Sequence, residues 1–242
     1  MKTVEEHYAS HLAPIYEWMI GGMEAAFAEG ESELEALGLP ASKVDAVLDL
    51  GAGPGAHAIP LARRGAQVTA VDTSEILLGS LRAASENLPL QTVTSDLMRF
   101  LQYDAKRYAA ILCMGDTLTH LRNWDEVAAL LDSAYRALLP GGRLVLGFRD
   151  YTTELRGEQR FIPVRADDRR IMTCFLEFEE SAVRVHDMLH ERSAQGWQTR
   201  VSVYRKLRLE PERVQRALHD LGFTVRREMG FRGMIRLIAS KE

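Results

Sequence analysis

The sequence predicts an α/β protein built on a doubly wound, mainly parallel sheet. Three observations predict it. Short apolar runs alternate with helix-period segments from residue 44 to residue 149, the pattern of consecutive βαβ units. One of those runs, Ala109–Gly115, has no polar residue, as in a strand covered on both faces. Finally, Gly51, Gly53 and Gly55 stand between the first run and the first helix, where such sheets bind ligands.

The elements follow in order. Residues 1–43 read as helical, with Tyr16, Ile20, Met23 and Phe27 at three- to four-residue spacing and Gly21-Gly22 as a weak point. Leu34 and Leu37 extend the pattern until Gly38 and Pro40 end it. Val44–Leu50 is the first strand, Ala56–Arg64 a helix, Gln67–Asp72 a strand, Ser74–Asn87 a helix, and Leu90–Thr94 a third strand. Tyr108–Met114 is a fourth strand. Trp124–Leu138 is a helix with Val127, Leu130, Leu131 and Ala134 on one face, closed by Pro140-Gly141-Gly142 before a fifth strand, Arg143–Phe148. After residue 150 the period becomes two. Ile171–Glu179, Ala182–Glu191 and Trp197–Arg208 alternate apolar and polar, as a half-exposed antiparallel sheet does. Pro211–Leu221 returns to helix, and Phe223–Glu228 and Met234–Ser240 complete a seven-stranded sheet.

The expected organisation is an N-terminal helical lid (1–43), a ligand-binding α/β domain (44–151 and 209–242) and a β insertion (152–208) shaping a second site. A chain of 242 residues with 46% hydrophobic and 26% charged residues is ordinary for a globular protein. No run approaches the ~20 apolar residues of a membrane span, so no membrane partner is expected. The segment MKTVEEHYASHLAP has no apolar core of a secretory signal. Two cysteines, Cys113 and Cys174, exclude a disulfide framework, and a cytoplasmic location is expected. The net charge is −4, so no nucleic-acid partner is expected. The charge is uneven: residues 1–142 sum to −9 and residues 143–242 to +5. The basic part is either a solvated surface or an attractor for an anionic acceptor. His7/His11 and His186/His190 have i,i+4 spacing but no third ligand nearby in sequence, so no metal site is expected.

The glycine loop carries the strongest chemical signal. Glycine at Gly51 and Gly53, around Ala52, permits positive φ and close approach of backbone to ligand. Asp72, followed by Thr73, ends the second strand 21 residues after Gly51, where a carboxylate accepts from ribose hydroxyls. The spacing is G-x-G-x-G, and Ala56 stands where a dinucleotide motif has its third glycine, so the glycines alone leave a nicotinamide cofactor open. Three features favour S-adenosylmethionine. Asp49 precedes the loop, a poor neighbour for pyrophosphate and a good one for an ammonium. Ser95-Asp96-Leu97 follows the third strand, offering an acceptor to the adenine amino group and an apolar contact to its ring. LLPGGRL precedes the fifth strand. Over about residues 44–149 the chain resembles the class I S-adenosylmethionine-dependent methyltransferases, which implies a Rossmann-like seven-stranded sheet.

Methyl transfer needs an acceptor lone pair in line with the methyl and water excluded, without a covalent nucleophile. The segments ILCMGDTLTHL (111–121) and LGFRDYTTEL (146–155) look like the glycine/sarcosine N-methyltransferases, whose segments run G-N-S-F-A-H-L and H-R-N-Y. The resemblance implies that Met114 and His120 line the cofactor, Asp116 faces the acceptor and Arg149 clamps a carboxylate. The family asparagine is Asp116 here; an acid favours an amine acceptor and repels a carboxylate. From the residues alone the alternatives stay open. Arg149 is a carboxylate clamp or a surface partner of Asp150. Asp116 meets the acceptor or caps its turn. His120 is a base titrating near neutral pH or the partner of a carbonyl. Tyr16 and Trp18, with Tyr8, offer π faces to a sulfonium from a closing lid, or belong to a helix packed on the rim. Tyr151 and Tyr204 read as packing residues, and Cys113 as a buried strand residue.

The expected function is methylation of a small molecule, at an amine nitrogen, with S-adenosylmethionine as cofactor. The alternatives are O-methylation, nicotinamide-dependent oxidoreduction, and a non-catalytic S-adenosylmethionine-binding or RNA-interaction protein. A homodimer through exposed strands of the insertion is also expected.

Overall fold

The computed structural model describes residues 2–40 and 45–242, without the side chain of Tyr103. Val44, first residue of the expected first strand, and the end of the expected lid lie outside the described residues. Seven strands form the main sheet: β1 (Ala46–Leu50), β2 (Gln67–Asp72), β3 (Leu90–Thr94), β4 (Tyr108–Cys113), β5 (Leu138–Phe148), β10 (Phe223–Met229) and β11 (Ile235–Lys241). Their order is β10-β11-β5-β4-β1-β2-β3. β11 runs antiparallel to both neighbours, and the other pairs are parallel. The expected doubly wound sheet is therefore present.

Two apolar cores explain the layering. Alternate residues of one strand feed opposite faces: Leu48, Ile111 and Cys113 enter one core, and Val47, Ala110 and Leu112 the other. The first core is closed by α6 (Leu97–Tyr103), α7 (Trp124–Ala137) and α8 (Pro211–Asp220), through residues such as Leu101, Leu130 and Leu218. The second is closed by α3 (Met23–Leu37), α4 (Ala58–Arg63) and α5 (Glu75–Ala84), through Leu34, Ile59 and Leu78. A sheet buried on both faces needs this near-continuous apolar sequence.

A second sheet follows β5, in the order β6 (Phe161–Ala166), β7 (Arg170–Phe178), β8 (Ala182–Ser193), β9 (Gly196–Leu207), with every pair antiparallel. On β8, Val183, Val185 and Leu189 are buried while the alternate residues are half-buried, which is the period-two reading in three dimensions. Its other face leaves Phe161, Trp197 and Val201 exposed.

Three segments depart from the sequence reading. Residues 1–43 are not one helix with a weak point. α1 (Val4–His7), a π turn (Tyr8–Leu12), a 3₁₀ turn (Ala13–Ile15) and α2 (Tyr16–Ile20) precede α3, because Pro14 has no N–H to continue an α-helix. Gly21 and Gly22 then reverse the chain at φ of 100° and 97°. The fifth strand begins at Leu138 rather than Arg143: Gly141 at φ 74° carries it through Pro140-Gly141-Gly142 with a register shift against β4. α6 and β6 are the elements the sequence reading missed. α6 has only seven residues, and β6 is an exposed edge strand containing Pro163, so it shows no alternation.

Candidate active site

The strand order reverses between β1 and β4, and the ends of those strands open a crevice there. A cavity of about 810 Å³ fills it, within the range of small-molecule sites. Its floor is the glycine loop. Gly51 and Gly53 adopt φ of 74° and 53°, where a side chain is strained. At Gly51 a Cβ would also lie 2.5 Å from the Thr117 side chain, so glycine lets the loops after β1 and β4 meet.

Asp72 is oriented from both sides. Its Oδ2 accepts from Gly53 N at 2.8 Å and its Oδ1 from Ser74 N at 2.8 Å. Burial raises its pKa, and the backbone donors offset part of that rise. The carboxylate lines the cavity beside Thr73 and Leu77. Asp96 also lines it, while its Oδ1 accepts from Met98 N and Arg99 N and caps α6. Leu97 and Met98 lie at the same end. Asp49 is buried behind the loop; its Oδ2 has no hydrogen-bond partner, and burial pushes its pKa up to about 6. An unpartnered buried carboxylate oxygen, two constrained glycines and an oriented Asp72 fit a cationic, ribose-bearing cofactor. Ala52 is buried in the second core beneath the loop.

The wall formed by the turn after β4 and the N-terminal segment is aromatic, with Lys2 and Glu5 also on the cavity lining. Met114, Gly115, Thr117 and His120 line it from the turn after β4, and Tyr8 and Tyr16 from the N-terminal segment. His120 stacks on Tyr204 with centroids 5.7 Å apart and meets Tyr8 edge-on at 5.7 Å. Burial first, and then the Lys206 charge, push its pKa down to about 3. This corrects the expectation of a group titrating near neutral pH. Its Nδ1 is buried without a partner, so it does not pair with a carbonyl through that atom. Burial drives the Tyr8 and Tyr16 hydroxyls up, leaving both protonated.

Asp116 departs most from the sequence reading. It sits at φ 74°, buried, just behind the cavity wall. It accepts from Arg149 N at 2.9 Å, from Tyr151 Oη at 3.0 Å and from Lys206 Nζ. Burial alone would raise its pKa, but Lys206 brings it below the usual carboxylate value. Burial likewise disfavours charge on Lys206, and Asp116 together with Tyr151, Tyr204 and Tyr8 more than offsets it, lifting the lysine well above its ordinary value. The acid is thus half of a buried ion pair. Lys206, at an inward position of β9, was missed: it shares a phase with Gln198, Arg200 and Ser202, so the sequence reads it as solvent-facing, whereas in the fold Val201 on the apolar phase is exposed and Lys206 is buried. The side chain of Arg149 is exposed and donates to the Arg232 carbonyl at 3.2 Å. The arginines beside the cavity are Arg122, bonded to Glu126, and Arg205, which donates to Arg122 O and Ser181 Oγ.

The N-terminal aromatics divide. Tyr16 faces the cavity. Trp18 lines a separate surface cleft instead; its Nε1 donates to Asp167 and its ring lies under Arg165 and Arg170. The segment is tied down by His7, whose Nε2 pairs with Asp187 Oδ2 at 2.9 Å and whose Nδ1 pairs with Ser202 Oγ at 2.8 Å. Among the described residues no group of three or more metal-ligating side chains occurs, and no helix is long and apolar enough to cross a membrane.

Residues 47–142, which contain the glycine loop, Asp72, Asp96 and the Met114–His120 turn, match the family described as "Methyltransferase domain". They form a class I S-adenosylmethionine-dependent methyltransferase domain. The chain is 34% identical over 107 residues to a glycine/sarcosine N-methyltransferase of Aphanothece halophytica, covering 43% of this chain and 40% of that protein. It is 31% identical over 140 residues to a ubiquinone biosynthesis O-methyltransferase of Psychrobacter cryohalolentis, covering 53% and 49%. The chain thus spans about half the length of the curated relatives it matches. Around the methyltransferase domain the whole chain has the fold of S-adenosylmethionine-bound CalS10, an amino pentose methyltransferase from Micromonospora echinaspora: TM-score 0.76, 18% identity, 95% and 96% of the two chains.

Proposed function

We propose that the protein methylates a small-molecule amine that lacks a carboxylate, using S-adenosylmethionine. One observation carries the reading. A single cavity joins the oriented Asp72 and its glycine loop to an aromatic wall of Tyr8, Tyr16 and His120, and its two arginines are engaged, Arg122 with Glu126 and Arg205 with Ser181 and the Arg122 carbonyl, so neither is free to clamp a carboxylate. Both kinds of relative support a small-molecule methyltransferase, and the amino-sugar enzyme with this fold favours nitrogen.

In this reading Asp72 and Thr73 hold the ribose, and Asp96 and Leu97 hold the adenine. Gly51, Ala52 and Gly53 cradle the amino-acid end, and Asp49 offsets its ammonium. When bound, S-adenosylmethionine supplies an electrophilic sulfonium methyl. Met114, Tyr8 and Tyr16 pack around the transfer site and exclude water; π faces there favour a cation. Trp18 has no part in it. His120 stays neutral and offers a hydrogen-bond acceptor rather than a stored charge, so the amine reacts as its free base. Asp116 and Arg149 act on the acceptor only through the shape of the wall. The division into a lid (1–43), a cofactor domain (44–151 and 209–242) and an acceptor-shaping insertion (152–208) belongs to the same proposal.

The aromatic wall with its neutral His120 also suits a hydroxyl, so O-methylation is the second reading. The test is S-adenosylhomocysteine release from S-adenosylmethionine with amino sugars, simple amines, glycine, sarcosine and phenols. Turnover of carboxylate-free amines is expected. Turnover of glycine or sarcosine would overturn the exclusion of carboxylates, and turnover of phenols alone would overturn nitrogen. Cofactor binding with no turnover across the panel would favour a binding role.

A further inference from the structure

The buried pair Asp116–Lys206 is not required by the fold. β9 holds its place through twelve residues paired with β8, and a buried ion pair is a poor source of stability compared with apolar side chains of similar volume. Its position is informative. Asp116 lies between Gly115 and Thr117, and Lys206 follows Arg205; those three neighbours all line the cavity. Neither charge touches the cavity, yet each is next in sequence to residues that line it. The Lys206 charge acts on Tyr8, Tyr16 and His120, all on the cavity surface. Its partner is fixed by three donors from different segments: Arg149 N, Tyr151 Oη and Lys206 Nζ.

We infer that Lys206 is a specificity-determining residue: by cancelling Asp116 it keeps the wall behind Gly115 and Thr117 from adding a net charge to the transfer end of the cavity, and so sets which ligand charge that end accepts. Without Lys206, an uncompensated carboxylate would stand behind the wall and draw cations into the site. The cavity would then hold a sulfonium too well against its neutral thioether product, and would admit ammonium forms of the acceptor, which have no lone pair to methylate. The inference rests on the reading that this cavity binds S-adenosylmethionine.

The test uses two ligands that differ by one methyl and one positive charge, S-adenosylmethionine and S-adenosylhomocysteine, with dissociation constants measured by calorimetry at pH 8 on the full chain. The readout is the ratio of the two constants, which a general loss of affinity does not change. Lys206→Met should tighten S-adenosylmethionine relative to S-adenosylhomocysteine by on the order of tenfold, the scale of one uncompensated charge acting through the protein at an effective dielectric of about 20. Lys206→Gln removes the charge while keeping a donor for Asp116, and should shift the ratio likewise should Lys206→Met fail to fold. Asp116→Asn/Lys206→Met, which removes both charges, should return the ratio to that of the parent. A ratio unchanged in both Lys206 variants, while both ligands still bind, would make the pair purely structural and overturn this inference alone. If the parent binds neither ligand, the cofactor reading fails and this inference fails with it.

Discussion

The His7 imidazole lies on the Tyr204 ring with centroids 4.0 Å apart and planes 22° from parallel. Tyr204 carries His120 as well, centroids 5.7 Å apart and planes 23° from parallel. One tyrosine of the second sheet therefore connects the N-terminal segment to the cavity wall. His7 fixes that segment further through Asp187 and Ser202, and Cys174 Sγ donates to the other Asp187 oxygen at 2.7 Å. All three of His7, Asp187 and Ser202 are buried. His7→Phe keeps the ring but leaves Asp187 short of a donor, which should cost about 2–4 kcal/mol in urea unfolding. Adding Asp187→Val should recover much of that loss. An unchanged midpoint in the single variant would mean that water replaces the imidazole at no cost.

Asp72 decides whether the glycine loop binds a ribose. Its two oxygens already accept one backbone N–H each, so its position is set before any ligand arrives. Asp72→Ala should weaken S-adenosylhomocysteine binding by about 3 kcal/mol, roughly a hundredfold, from the loss of hydrogen bonds to a charged acceptor. Calorimetry gives the answer directly. Affinity unchanged within threefold would remove Asp72 from the ribose and send the nucleoside elsewhere in the cavity.

How much of this was legible in the sequence differs by residue. Strands β2 and β3 begin and end where alternation and the turn residues place them, because local pattern and tertiary burial agree there. Gly51, Gly53, Asp72, Asp96 and Leu97 were legible because βαβ connectivity puts strand ends at the switch point whatever the rest of the chain does. Trp18 was not. A helical repeat through residues 16–27 puts Tyr16 and Trp18 on one segment, but Pro14 and the Gly21-Gly22 reversal decide which ring turns inward. The sequence leaves Asp116 between meeting the acceptor and capping its turn because its partner lies 90 residues away on another sheet. Long-range pairing of that kind leaves no local mark here, because Lys206 stands on the polar phase of its strand with Gln198, Arg200 and Ser202. Arg149 shows the reverse limit. The strand exit was placed correctly, yet the direction of a long flexible side chain is set by what stands nearby, here the Arg232 carbonyl.

The acid limb of stability should carry the signature of His120. Burial, followed by the Lys206 charge, holds its pKa down at about 3 in the folded chain, against ~6.5 when unfolded. Between those values the unfolded chain takes up a proton that the folded chain refuses, so acidification favours unfolding. The contribution is complete above pH 6.5 and drains away as pH falls toward 3; by pH 5 about 2 kcal/mol should be gone. Asp49, raised to about 6 by burial, works in the opposite sense, since its folded form binds a proton first. His11, pushed down mainly by burial, adds to the acid loss. Both remain in a His120→Phe variant, so the difference between variant and parent isolates His120. Urea unfolding at fixed ionic strength should show that difference moving by about 2 kcal/mol in the variant's favour between pH 7.5 and pH 5. A difference that stays constant with pH would mean that the imidazole titrates in the folded chain as it does in water. The neutral His120, and the free-base acceptor it implies, would then have to be given up.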